Sequence, residues 1–201
     1  MNTVNRKLID YLLLKSLYMQ NAGLFHGKMG IVVALYAYAD RYHDKLLKEY
    51  AWELFLQVYD DIHADMPIGL EHGLSGIGYG TALLCKLGLV ECDLNEILAD
   101  VDAKIMERDP RRMTDFSARS GMGGLLLYLS LRQETSGSLS TFDSQYLAEL
   151  HAAATNRGIV NMTANIIDLL NEPSFAVNDY MEKPVGIDGG SAYYILKDII
   201  A

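Results

Sequence analysis

Apolar residues recur at helical spacing along most of this chain. Leu46, Leu47, Tyr50, Ala51, Leu54, Phe55, Val58, Tyr59 and Ile62 lie one, three or four residues apart, which lays one apolar stripe along a long helix. Val4, Leu8, Tyr11, Leu12 and Leu17 form a similar stripe, ended by Asn21-Ala22-Gly23. Leu94, Ile97, Leu98, Val101 and Ile105 form a third, with Asp93 as the cap, Glu96 completing a capping box and Asp109-Pro110 as the stop. Phe142, Tyr146, Leu147 and Leu150 form a fourth. After Gly158, Ile159, Met162, Ile166, Leu169 and Leu170 predict a separate helix that Asn171-Glu172-Pro173 stops. Between these outer helices lie segments apolar on every side: 31–39, 73–86, 125–131 and 191–200. A helix that is apolar all round is buried all round. Gly88 followed by Leu89 reads as a glycine C-cap, and residues 133–140 read as a polar loop. Alternating strand patterns are nearly absent, so the predicted class is all-α, with outer amphipathic helices alternating with inner apolar ones.

Each inner segment is preceded by glycines. The stretches are Gly23-Leu24-Phe25-His26-Gly27-Lys28-Met29-Gly30, Gly69-Leu70-Glu71-His72-Gly73-Leu74-Ser75-Gly76, Ser120-Gly121-Met122-Gly123-Gly124 and Val185-Gly186-Ile187-Asp188-Gly189-Gly190. Read as Gly-x-x-Gly, the pairs are Gly27/Gly30, Gly73/Gly76, Gly121/Gly124 and Gly186/Gly189, with spacings of 46, 48 and 65 residues. A recurrence of this length marks an architecture repeated from one supersecondary unit. Glycine serves where backbones approach closely, so each stretch reads as a tight turn entering a closely packed helix. The helix N-termini are then expected on one rim, their free N–H groups and positive dipole ends directed at a common mouth.

The chain has 201 residues, and one domain spanning 1–201 is expected. A net charge of -9 argues against nucleic acid as a partner. No apolar run reaches the roughly 18 residues of a membrane span, and Tyr11-Leu12-Leu13-Leu14 is too short for a signal peptide, so the expected location is cytoplasmic. Cys85 and Cys92, the two cysteines, fit a reducing compartment without a disulfide framework.

Chemistry-bearing residues gather in the turns. His72 is the candidate acid–base residue, since imidazole titrates near neutral pH; the competing reading is a histidine that fixes its turn, favoured because His26 occupies the same place in the first repeat. His26, Glu71, Arg119, Ser120 and Asp188 are candidate binding residues for a peptide, where the alternative is a solvated loop. Tyr36, Tyr38, Tyr128, Tyr193 and Tyr194 on inner helices read as core, each with a hydroxyl partner. Asp60 and Asp61 do not form a glycosidase pair, because adjacent residues on a helix point apart.

The motifs GLFHGKMG, GLEHGLSGIGYG, SGMGG and VGIDGGSAYY resemble the repeated glycine motifs of the lanthionine synthetase C-like (LanC-like) family. Leu87-Gly88-Leu89-Val90-Glu91 and Leu94-Asn95-Glu96-Ile97-Leu98 resemble its Bacteroidetes branch. The resemblance implies an α/α toroid of two helix layers and, for active members, a zinc ion held by two cysteines and a histidine that presents a thiolate for addition to a dehydroamino acid. Those ligands lie in Trp-Cys-Tyr-Gly and Cys-His-Gly motifs at the later turns. Here Arg119 stands at the first, and Pro184-Val185 precede Gly186 at the second, so no metal ligand and no cofactor is expected. Cys85, twelve residues into its helix from Gly73, lies roughly 18 Å from the turn and cannot substitute. His72 matches the histidine of the family's Gly-Leu-Ala-His-Gly motif. With about seven or eight helices the chain makes a partial ring, whose uncovered ends favour self-association. The expected function is a LanC-like protein without its zinc site, binding a peptide or a peptide-modifying enzyme. The alternatives are a cyclase or lyase completed by a partner or a longer chain, and an α/α-toroid glycosidase using Glu71 and Asp188.

Overall fold

The computed structural model describes residues 3–159 and 165–200. Among them are nine α-helices, two short 3-10 turns and no strand: α1 (Thr3–Ser16), α2 (Lys28–Tyr42), α3 (Lys45–Asp60), α4 (Leu74–Lys86), α5 (Leu94–Ile97), α6 (Ala99–Met106), α7 (Met122–Ser136), α8 (Ser144–Thr155) and α9 (Ser191–Ile200). They form two compact units. A terminal unit comprises Met1–Asp61 and Ile166–Ala201, and a central unit comprises Ile62–Asn165.

In the terminal unit α2 is the centre. Every residue from Lys28 to Ala39 is buried, as an all-round apolar helix requires. α1, α3 and α9 pack on it. The first and last glycine-started helices therefore cover each other, and α9 is not the bare end of an open stack. Lys28, the one charged residue in this run, reaches Asp61 with its Nζ at 2.9 Å. α3 turns Leu47, Ala51, Leu54, Phe55 and Val58 inward. Leu46, expected in that stripe, lies about a third of a turn off it and is exposed.

In the central unit α4 and α7 pack side by side, with α5 and α6 against them. The stripe from Leu94 to Ile105 is broken at Leu98 into α5 and α6. Asp93 caps α5 as expected, its carboxylate accepting from the Asn95 N–H at 2.8 Å. The polar stretch after Leu131 remains helical to Ser136, and Gly137 ends it at φ +70°. Thr135 and Ser136 return their hydroxyls to carbonyls four residues back, which keeps these polar residues in the helix. α4 ends as read: Gly88 takes φ +68°, and the Leu89 N–H bonds the Leu84 carbonyl at 3.0 Å.

Two other expectations fail. Cys85 and Cys92 form a disulfide that ties the end of α4 to the segment entering α5, so the cysteine argument for a reducing compartment falls. Residues 160–164 of the helix expected across 159–170 lie outside the described residues; within them, Ile166–Leu169 is one 3-10 turn. Among the described residues, no helix is long and apolar enough to cross a membrane.

Candidate functional site

The four glycine turns share one construction. The first N–H of each inner helix returns to the carbonyl seven residues earlier: Lys28 to Asn21 at 2.8 Å, Leu74 to Pro67 at 2.9 Å, Met122 to Asp115 at 3.0 Å and Ser191 to Pro184 at 2.8 Å. Met29, Ser75 and Ala192 repeat the step one residue on. This closes a loop on the helix start and leaves a glycine at the N-cap, Gly27, Gly73 and Gly121 in the first three. In the fourth the equivalent residue is Gly190. The register read from Gly186/Gly189 is therefore shifted, and Gly186 corresponds to Gly23 and Gly69. The same bonds overturn the expectation of free N–H groups at the helix starts, because loop carbonyls occupy them and no ready anion site remains there.

This register aligns Phe25, Glu71, Arg119 and Asp188, two residues before the cap, and His26, His72, Ser120 and Gly189, one before it. All six candidate site residues fall at these two positions. The turns then meet in pairs. In the terminal unit the Asp188 N–H donates to the Phe25 carbonyl at 3.1 Å; in the central unit the Glu71 N–H donates to the Arg119 carbonyl at 2.9 Å. Both bonds join equivalent residues. Each donating turn brings a glycine hard against the other turn. A Cβ on Gly69 would lie 2.5 Å from the Ser120 backbone, and one on Gly186 would collide with the Phe25 carbonyl. Each also inserts a buried aliphatic residue, Leu70 or Ile187, beside the helix glycine of the accepting turn, Gly124 or Gly30.

The side chains follow this scaffold. In the terminal unit the buried Asp188 accepts from the Asn171 N–H at 2.6 Å and from its Nδ2 at 3.0 Å, and stands 3.3 Å from His26 Nε2. The carboxylate thus fixes the imidazole's orientation. In the central unit Glu71 accepts from Arg119 Nε at 3.0 Å, with His72 Nε2 at 3.4 Å from its other oxygen. All three are partly exposed, which suits polar contact with a ligand and limits the ion pairs to at most about 1 kcal/mol. Ser120 does not join them. Its hydroxyl turns back to Asp115 at 2.6 Å and to Ser117 at 2.9 Å, and the hydrogen bonds from the Ser120 hydroxyl and the Ser117 N–H hold the Asp115 carboxyl below its usual range.

Two contributors escaped the sequence reading. By sequence Asn171 marks only a helix stop, yet it positions Asp188. Next to it Glu172 accepts from the Tyr193 hydroxyl at 3.0 Å and from Lys197 at 2.6 Å. The Lys197 hydrogen bond chiefly lowers its pKa. No local signal marks either residue, because the partners lie 17 or more residues away. The inner tyrosines are mostly core as expected, but the buried Tyr38 hydroxyl finds no partner. No family profile, curated protein or solved structure matches the chain.

Proposed function

We propose that this chain is a LanC-like protein that lacks the family's thiolate zinc site and binds a peptide, as part of modified-peptide maturation, through its glycine turns. One observation supports this reading above the others. In the register set by the shared loop closures, the positions of the family's Cys and Cys-His ligands are held by Arg119 and by Asp188-Gly189. A guanidinium has no lone pair for a metal, glycine has no donor atom, and Asp188 is already engaged by Asn171 and His26. These residues do not fit the zinc, and no step is routed through it. What the central unit offers is a set of partly exposed polar groups: Arg119 and Glu71 for the termini and charged side chains of a peptide, and His72 for its carbonyls. His72 is the candidate acid–base residue, and an α/α toroid is the architecture this reading carries.

The test pairs binding with turnover. A fluorescein-labelled peptide carrying one dehydroalanine and one cysteine is titrated with the protein and read by anisotropy. The same peptide with added zinc is scored for loss of its free thiol. Binding that weakens on Arg119→Ala or Glu71→Ala, without thiol loss, is expected. Thiol loss that vanishes on His72→Ala would replace this reading with that of a working cyclase. No binding would end both.

A further inference from the structure

The outward side of α3 is built to be covered. Trp52 and Leu56 are each 39% exposed there, with Leu46 at 78% beside them. A groove of about 750 Å³ runs along the helix, lined by Lys45, Leu46, Glu49, Trp52 and Glu53 among others. Among the described residues, three of the nine exposed large apolar side chains, Leu46, Trp52 and Leu56, lie on α3. Apolar surface gathered in this way marks an interaction site.

The charges identify the occupant. Lys45 and Lys48 lie in the first turn of α3 and Glu53 and Asp60 toward its end, with no base in the last turn; the N-cap Asp44 precedes the lysines, but its carboxylate is taken by the Leu47 N–H at 3.1 Å and by Arg6 at 3.2 Å. This gradient opposes the helix's own dipole, which favours acids at the start and bases at the end. It is complementary to itself reversed. Residues 45, 49, 52, 53, 56 and 60 share the outward face by helical period. An antiparallel copy registered on Trp52 and Glu53 sets Lys45 opposite Asp60 of the second copy. Each basic start then meets the acidic, carbonyl-rich end of the other helix.

We infer that α3 is the two-fold interface of a homodimer, paired antiparallel with α3 of a second copy. Trp52 sits at the axis, Leu56 flanks it, and a Lys45–Asp60 ion pair closes each end. The contact is isologous, so one surface serves both partners and the assembly stops at two. This inference is independent of the peptide-binding reading and uses none of the turn residues.

Sedimentation velocity from about 1 to 100 µM, with emission from the chain's single tryptophan, tests it. The expected result is a micromolar monomer–dimer equilibrium, with Trp52 emission moving to the blue as the dimer forms. Lys45→Glu alone and Asp60→Lys alone each weaken the dimer roughly tenfold, since both symmetry-related pairs turn repulsive. The combined Lys45→Glu/Asp60→Lys chain recovers the parent affinity. A chain monomeric across the range overturns the inference. So does a dimer indifferent to the single reversals, or one in which the two reversals add instead of cancelling. Both positions are exposed, and unchanged far-UV circular dichroism separates lost pairing from lost folding.

Discussion

Replacing Asp102 by Asn removes one charge from the interior of the central unit and leaves its partner behind. Asp102 on α6 and Arg132 on α7 are both fully buried, with Nη2 and Oδ2 at 2.9 Å. The Tyr128 hydroxyl donates to Asp102 at 2.5 Å and the Thr141 hydroxyl at 2.6 Å. Arg132 also donates to the Leu94 carbonyl at 2.7 Å and to Asn95 at 3.2 Å, so the cluster joins α5, α6 and α7. Two forces oppose each other at the carboxyl. Burial pushes the Asp102 carboxyl up and favours the neutral acid, while the two hydroxyls and the guanidinium favour the anion. The guanidinium decides the outcome, because Arg132 keeps its proton and needs a counter-ion wherever it lies. Intact, the pair contributes little net stability, since desolvation offsets attraction; broken, it leaves a buried charge and costs about 3–5 kcal/mol. At about 2–4 °C per kcal/mol for a chain of this size, Asp102→Asn lowers the melting temperature by about 10 °C. Urea unfolding followed by far-UV circular dichroism gives the free energy, while Trp52, in the other unit, reports separately on that unit. Adding Arg132→Met to Asp102→Asn recovers stability, because the stranded charge is gone. A loss under 1 kcal/mol for Asp102→Asn, or a further loss in the double variant, would show that burial outweighs the guanidinium and refute the argument.

Three other outcomes follow from the same structure. Gly186→Ala drives a methyl into the Phe25 carbonyl and costs about 3 kcal/mol, whereas Gly88→Ala meets open space and pays only for its left-handed backbone, about 1 kcal/mol; thermal melts of the two rank them. Reducing the Cys85–Cys92 disulfide, or Cys85→Ser with Cys92→Ser, lowers stability by about 2.5 kcal/mol on the loop-entropy estimate, and an unchanged urea midpoint with and without dithiothreitol contradicts this. Burial raises the Tyr146 hydroxyl well above its ordinary 10.0, so the folded chain keeps a proton that the unfolded chain releases; this contribution is complete below pH 10 and is lost as pH rises beyond it. Tyr146→Phe therefore flattens the loss of stability between about pH 10 and 11, read from melting temperatures across that range.

What was legible in the sequence was what depends on near neighbours. The all-round apolar run of α2 and the Gly88 cap were read from adjacent residues, and the structure keeps both. What was lost depends on distance. Gln133 to Ser136 looks like a loop by composition, yet side-chain-to-carbonyl bonds hold it helical. Leu46 fits the spacing of a stripe, but the helix's rotation turns it outward. The sequence places the fourth turn four residues early because Gly186, Gly189 and Gly190 offer two registers, and only the return of Ser191 N–H to Pro184 decides between them.

The pairing of turns also changes what repetition means for the two histidines. His26 and His72 occupy the same sequence position, which suggests one structural role for both. Their turns do opposite jobs. His26 lies in a turn that accepts the bridging backbone bond, and faces the carboxylate of the other turn, Asp188. His72 lies in a turn that donates that bond, and faces its own neighbour, Glu71. His26 thus ties two turns together, whereas the His72 contact with Glu71 stays within one. The repeating element is the pair, one donating turn with a carboxylate and one accepting turn with a helix glycine. Repetition between such pairs does not make two residues equivalent. On this argument His26→Ala loosens Asp188 and the terminal unit, while His72→Ala leaves Glu71 held by Arg119 at 3.0 Å, and thermal melts of the two variants rank them in that order.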